Sequence, residues 1–597
     1  MPARYVLGID LGTTNCVLGY SPLDTDEPDV RLLQIPQLVA YRTVEPQSSL
    51  SSFAYLATEH ETRENAVDLP WAVDRNFAVG EFARRQGAEV PERTVAAAKS
   101  WLCHSRVDRR ESILPWNAPA DVNKISPVTA TQFYLEHLVA AWNAAFPDAP
   151  FADQQVVLTV PASFDAAARE LTREAALAAG LPNDLVLLEE PQAAVYAWIV
   201  TSGDRWREHL QRGDKLLVCD VGGGTTDLTL IDVTEENGEL TLERLAVGDH
   251  VLVGGDNMDL ALAHHAAGLF AEKDIKLNAW QSVSLWHSCR AAKETLLAEG
   301  GPDKHAISVL GRGSKVIGGT VSVEVESDSV TKLLTDGFFP LCQLTDRPQR
   351  RRISGFQEIG LPFESDTAIT RHIAAFLEAQ ADAAGESVRP AHVLFNGGVF
   401  KAAVMRSRVL QAMASWFADG PPTEELAGER ELGYAVARGA AYYGWSKQHG
   451  GVRIRGGVAR SYYVGIETSG LAVPGAPRPL RAICVVPFGM EEGTEVDVPS
   501  GEIGLVLGEP AHFRFFSSAV RKLDQPGDVL DSWDELELVE TDSMETVLSS
   551  DEDIDEPYVP VRFQSRITEL GLFELWCVNV KMGRWKLEFN VRQPEVE

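Results

Sequence analysis

Two stretches of the chain share one pattern of apolar and polar positions. Residues 216–233 run apolar up to Asp220, break at Gly222, Gly223, Gly224, Thr225, Thr226 and Asp227, then resume with apolar and polar positions alternating. Residues 5–20 repeat this: an apolar run to Asp10, a break at Gly12, Thr13, Thr14 and Asn15, then a second run. Each predicts two strands joined by a tight glycine turn. Glycine lets backbone N–H groups approach an anion closely, and an aspartate at the strand end can hold a hydrated divalent cation. The two aspartates stand 210 positions apart, at domain spacing. The repeat therefore predicts two similar lobes, each offering a phosphate loop to a shared cleft. No G-x-x-x-x-G-K-[ST] or G-x-G-x-x-G motif carries the signal instead.

Between and beyond these hairpins the pattern alternates strand and helix. Residues 21–75 read as short strands and loops. A helix begins over 78–87, residues 95–102 read as another short apolar element, and 128–146 have helical periodicity with an apolar face. A buried strand at 155–160 leads to an Ala-rich helix over 163–180, with Ser163 as its N-cap and Gly180 as its C-cap. A strand at 186–190 ends in Glu189 and Glu190, and Pro191 opens the helix 192–200. Glu190 thus lies at a strand-to-helix junction, where side chains reach the clefts of open α/β sheets. Gly254 and Gly255 turn into a long helix. Residues 281–297 are helical, 311–325 read as a hairpin, and 392–400 as a strand with a glycine turn at Gly397 and Gly398. Small residues at helical spacing over 435–444 close the α/β part. Arg347–Arg352, with four arginines in six residues, reads as a solvated loop.

From about residue 452 the texture changes to short alternating runs rich in Gly and Pro, an all-β domain. It includes residues 528–556, with thirteen acidic residues and no Lys or Arg, which reads as an exposed or disordered loop. The expected division is 1–200, 201–450 and 451–597.

Composition narrows the partners. The 597 residues are 45% hydrophobic and 23% charged, with a formal net charge of −32. Such a surface repels nucleic acid and anionic membranes, and a nucleotide site would need local cations against it. Seven scattered cysteines without metal-ligand spacing fit reduced core thiols in the cytoplasm. The N-terminus reaches Asp10 too early for a signal peptide, and no apolar run approaches the ~20 residues of a membrane span.

The segments 8–15, 158–164, 190–194, 220–227, 254–256 and 396–398, in this order and spacing, resemble the 70-kDa heat-shock chaperone family (DnaK-like) of the actin-like ATPase superfamily. The resemblance runs from about residue 4 to 445, and 463–468 resembles the start of that family's β substrate-binding domain. It implies a two-lobed, ribonuclease H-like α/β nucleotide-binding domain followed by a smaller all-β domain, with ATP or ADP and Mg²⁺ as cofactors. Asp10 and Asp220 would hold Mg²⁺ through waters. Gly12, Thr13, Thr14, Asn15, Gly222, Gly223, Gly224 and Thr225 would contact phosphates, with Gly254 and Gly255 beside them. Glu190 would help place the attacking water. Gly397, Gly398 and Lys293 would line the adenosine pocket. Protein or peptide clients and co-chaperones would be the partners, with no nucleic acid and no membrane.

The sequence departs from that family at four places. Arg84 is expected at the position of the family's catalytic lysine, where a planar guanidinium cannot mimic a compact ammonium. Arg290 and Glu294 carry the family's charges in exchanged order and would pair across one helical turn; Val399 and Gly433 replace polar side chains near the base. Residues 451–457 replace the apolar interdomain linker. No C-terminal helical lid follows. The leading expectation is a slowly hydrolysing, ATP-binding chaperone-like protein whose nucleotide state controls a β domain. The alternatives are a non-hydrolysing ATP-binding scaffold for a dedicated partner and a small-molecule kinase.

Overall fold

The glycine-turn hairpins form as the alternation predicts, and each nucleates a sheet of the same plan. A computed structural model describes residues 2–590 apart from 105–106, 117, 237, 311–319, 350–360, 362–363, 382–386, 427, 429–430, 453, 468–478, 502, 507, 509, 535–536, 548–557, 569–570 and 580. In the first sheet, Tyr5–Leu11 pairs antiparallel with Asn15–Pro22 and parallel with Gln155–Val160, which pairs parallel with Val186–Glu189. In the second, Lys215–Val221 pairs antiparallel with Thr226–Glu236 and parallel with His392–Asn396. The carboxyl ends of both central strands carry the aspartates, Asp10 and Asp220. That is the side on which open α/β sheets bind ligands.

Helices cover these sheets. Each half has its own apolar core, and a third cluster joins them, with Val6 and Val157 of the first sheet, Leu216 and Val218 of the second, and Trp198 and Tyr443 between. The Ala435–His449 helix does not stay with the second half. It packs on the first sheet so closely that a Cβ on Gly8 would lie 2.3 Å from the Ala441 nitrogen, and on the Glu190–Ser202 helix so closely that one on Gly439 would lie 1.7 Å from the Ala193 carbonyl oxygen. The small residues at helical spacing serve this backbone-to-backbone approach.

After His449 the described residues contain strands and no helix. A largely antiparallel sheet runs from Glu495–Asp497 through Tyr558–Ile567, Phe573–Asn579, Gly583–Asn590, Ser543–Val547, Pro510–Ser518, Ser461–Glu467 and Leu480–Val486 to Val529–Leu530. This domain rests on the first half: Ala166 joins its core, Leu572 enters the first half's core, and Arg109 makes a buried ion pair with Asp542 at 2.5 Å. The connecting segment contributes the short strand Ile454–Arg455, parallel to Glu239–Val247 at the edge of the second sheet.

Four sequence expectations change here. The helix expected from Ser163 starts at Ala166, because Asp165 caps it by accepting the Ala168 N–H at 2.8 Å; Ser163 is engaged elsewhere. The acidic run 528–556 is not simply a loop: Val529–Leu530, Val539–Glu540 and Ser543–Val547 are strands, and arginines outside the run neutralise it, as in Arg514–Glu540 at 2.6 Å; 548–556 lie outside the described residues. The hairpin at 311–325 is built from Lys304–Leu310 and Thr320–Glu326, its turn lying outside the described residues. Of the arginine-rich stretch, Arg347 pairs with Glu378, and Arg350, Arg351 and Arg352 lie outside the described residues.

Candidate functional site

The two glycine turns are built alike and touch. In the first, the Gly12 N–H donates to the Asn15 carbonyl at 3.1 Å; in the second, the Gly222 N–H donates to the Thr225 carbonyl at 2.9 Å. A Cβ on Gly223 would fall 1.9 Å from Thr14 Oγ1, and one on Gly224 3.0 Å from Thr13 Cγ2. Any side chain at 223 would push the turns apart. The Gly255–Glu272 helix begins directly beneath, its Gly255 and Asp256 N–H groups donating to the Gly222 and Gly223 carbonyls at 3.0 and 2.7 Å. A Cβ on Gly254 would lie 2.6 Å from the Gly223 carbonyl oxygen, so that contact also needs glycine.

Between the turns runs a cleft of about 460 Å³. Asp10, Gly12, Thr13, Thr14, Asn15, Glu190, Asp220, Gly222, Gly223, Thr225, Gly255, Lys293, Gly397 and Gly398 line it. Gly224 and Gly254 adjoin it through the contacts above. The structure thus brings all but one of the sequence-predicted site residues together.

The exception is Arg84. It lies on the Glu81–Glu89 helix, where its guanidinium donates twice to the Glu81 carboxylate, at 2.7 and 2.8 Å, and Arg85 joins the same acid. A local i,i+3 ion pair holds it outside the cleft. The cation beside Glu190 in the cleft is instead Lys99, on the Ala98–Leu102 helix, whose ammonium donates to Glu190 with both side chains nearly excluded from solvent. The sequence held a signal for it. Lys99 is the sole charge in the apolar run 95–102, and a lysine on an apolar element is seldom buried without a partner.

The electrostatics of the cleft call for a cation. Burial, reinforced by Glu190, pushes the Asp10 carboxyl up to about 8, and Lys99 only partly opposes this. Burial and Glu190 push Asp220 up to about 7, although the Asn396 side-chain amide donates to it at 2.7 Å. Burial also raises Glu190, against the pull of Lys99. The preceding Glu189 points the other way and is held by Arg169 and Arg244. Thr14 Oγ1 and Asn396 Oδ1 are buried without a hydrogen-bond partner, orphaned atoms at the walls of the same cleft. Two facing carboxylates that resist ionisation, with few other protein ligands, suit a hydrated divalent ion that keeps most of its waters.

Away from the turns Leu297, Met405, Leu432 and Val436 join the lining, among the charged Arg290, Lys293, Glu294 and Lys401. Gly397, at φ 88°, sits where a Cβ would strike the Val221 carbonyl oxygen at 2.3 Å, whereas Gly398 faces open space. Arg290 does not pair with Glu294. It donates to Asp259 at 2.8 Å and to Asp256, while Lys293 meets Asp259 at 2.6 Å and donates to the Gly255 carbonyl at 3.0 Å. The acid partners come from the neighbouring helix rather than from one turn further along, which sequence spacing did not reveal.

The comparisons agree with this geometry. The family model described as Hsp70 protein matches residues 70–303. The chain is 30% identical over 289 residues to the chaperone protein HscA of Enterobacter sp. (strain 638), which is 46% of this chain and 40% of that protein. It is 28% identical over 331 residues to HscA of Pectobacterium carotovorum subsp. carotovorum (strain PC1), 52% of this chain and 44% of that one. It is 32% identical over 291 residues to the HscA homolog of Methylibium petroleiphilum, 46% of this chain and 43% of that one. The matched stretch therefore spans less than half the length of these curated relatives. Among the described residues, no helix is long and apolar enough to cross a membrane. By its twin sheets, its shared cleft and these matches, the chain is similar to Hsp70 proteins, the family match falling on residues 70–303.

Proposed function

We propose that the chain binds and slowly hydrolyses ATP, and that nucleotide state controls protein binding by its C-terminal β domain. The observation that carries this is the pairing of Asp10 and Asp220 across touching glycine turns, with Lys99 and Glu190 buried beside them. Mg²⁺ held between Asp10 and Asp220 would neutralise phosphate charge when bound. The backbone N–H groups and hydroxyls of residues 12–15 and 222–225 would bind the β- and γ-phosphates. Glu190 would orient a water, and the Lys99 ammonium would keep Glu190 ionised and offset charge on the transferred group. This is catalysis by positioning and charge complementarity, as phosphoryl transfer requires.

The lobes would comprise 1–200 with the returning 435–449 helix, and 201–434; the β domain would follow from 451. The HscA relatives are named as chaperones, which supports protein or peptide clients and co-chaperones as partners. The seven free cysteines support a cytoplasmic setting. Lys99 beside Glu190 favours hydrolysis over the non-hydrolysing scaffold. A single-turnover assay with labelled ATP and Mg²⁺ tests the reading. Phosphate release should vanish in Asp10→Ala and Glu190→Ala; tight binding with no release by the unaltered chain would favour the scaffold.

A further inference from the structure

One buried polar group at the cleft has no role so far. His250 lies on the connection between the Glu239–Val247 strand and the Gly255–Glu272 helix. Its backbone is fixed by the neighbouring bridge, in which the Thr226 N–H donates to the Val251 carbonyl at 2.9 Å and the Thr226 hydroxyl to Val253 at 2.8 Å. Its Nδ1 lies 2.7 Å from Ser163 Oγ and 3.5 Å from Asp227 Oδ1. Ser163 comes from the other half of the molecule, on the loop after the Gln155–Val160 strand, and its hydroxyl donates to Asp227. The Phe164 ring meets the imidazole edge-on at 6.0 Å. Asp227 lines the cleft and is the direct cross-strand neighbour of Asp220.

The bonding order fixes the chemistry. Ser163 gives its single proton to Asp227, so His250 Nδ1 must carry a proton and donate it to the Ser163 oxygen. Serine, histidine and aspartate are the residues of a nucleophilic triad, but here the acid holds the serine and the imidazole has no free base nitrogen facing it. The arrangement is therefore not a hydrolase site. Like charges directly opposed on adjacent strands repel. A cation beside Asp227 lets it remain ionised against Asp220.

We propose that His250 is a positioning residue: through Ser163 it joins the two halves at the cleft floor and holds Asp227 in place beside Lys99 and Glu190. The groups facing the imidazole agree with this. Burial opposes its charge, but Asp227 and the Cys103 thiol favour it, and together they hold it well above the ordinary histidine range. Glu190 is a further anionic neighbour. Burial would raise Asp227, and His250 with Ser163 outweighs it and lowers it. The kinetic part of this proposal rests on the phosphoryl-transfer reading above; the titration part does not.

Two measurements on the full chain test it. NMR of the imidazole, assigned by His250→Gln, should show His250 titrating above the ordinary histidine range and lower in Asp227→Asn. Titration near the ordinary value of about 6.5 in the unaltered chain would overturn the proposal, whether or not ATP is hydrolysed. In single turnover, Ser163→Ala should slow phosphate release by roughly tenfold to a hundredfold, the scale of a misplaced group. Nucleotide affinity should stay within about threefold, and Ser163→Thr, which keeps the hydroxyl, should restore the rate. Release by Ser163→Ala at the unaltered rate, or an equal loss in Ser163→Thr, would also overturn it.

Discussion

The Lys99 ammonium rests on the Glu190 carboxylate, 91 positions along the chain, with about a tenth of either side chain exposed. One residue comes from a five-residue helix, the other from the first turn of Glu190–Ser202, and only the fold brings them together. Lys99→Ala leaves Glu190 buried without its cation, so phosphate release should fall by roughly a hundredfold or more. Arg84→Ala breaks only the local pair with Glu81 and should change release by less than about threefold. Rapid-quench measurement of both variants checks this; equal losses would return Arg84 to the site.

The aspartate pair sets a pH dependence. Burial and the neighbouring Glu190 push the Asp10 and Asp220 carboxyls up to about 8 and about 7 in the fold, against 3.8 ordinarily. The folded state therefore binds more protons than the unfolded chain between pH 4 and 8, and stability should decline as pH rises through that window. Mg²⁺ should flatten the decline by compensating the two charges. Thermal unfolding from pH 5 to 8.5, with and without millimolar Mg²⁺, reads both effects. In Asp10→Asn/Asp220→Asn the decline should shrink and the Mg²⁺ effect should disappear.

Asp259 is 1% exposed at its side chain and serves both Arg290 and Lys293. Removing it leaves the Lys293 ammonium without an acid and Arg290 with Asp256 alone, so Asp259→Ala should destabilise the fold by about 3–5 kcal/mol. Denaturant unfolding measures this. Asp259→Asn keeps the shape and one acceptor and should lose less.

The Arg109–Asp542 pair joins the first half to the β domain with side chains 0% and 6% exposed. Asp542→Ala leaves a buried guanidinium unpaired and should loosen the β domain before the rest unfolds. Limited proteolysis should then release the β domain. Replacing both partners, in Arg109→Met/Asp542→Leu, should recover much of the loss, because a buried ion pair contributes little beyond an apolar contact of equal volume.

The duplicated hairpins were legible because a glycine turn after an apolar strand is a local signal, and the repeat doubled it. Their meeting was legible only as an implication of the repeat. Lys99, Asn396, Asp259 and His250 were missed because nothing along the chain marks which distant side chain a buried charge will find. Arg84 was placed in the site because sequence position cannot show that Glu81, three residues away, takes its charge. The acidic stretch misled for a related reason: its neutralising arginines, Arg481, Arg514 and Arg521, lie before it and meet Asp531, Glu540 and Glu537 only in the fold.

The Ala435–His449 helix presses its small residues against the strand that begins at Tyr5. During synthesis the opening strand leaves the ribosome more than four hundred residues before its cover does. That face of the first sheet therefore stays uncovered until residues 435–449 have been made. A nascent chain of this protein has a long interval in which its earliest strands are available for wrong pairing or for capture by other folding helpers.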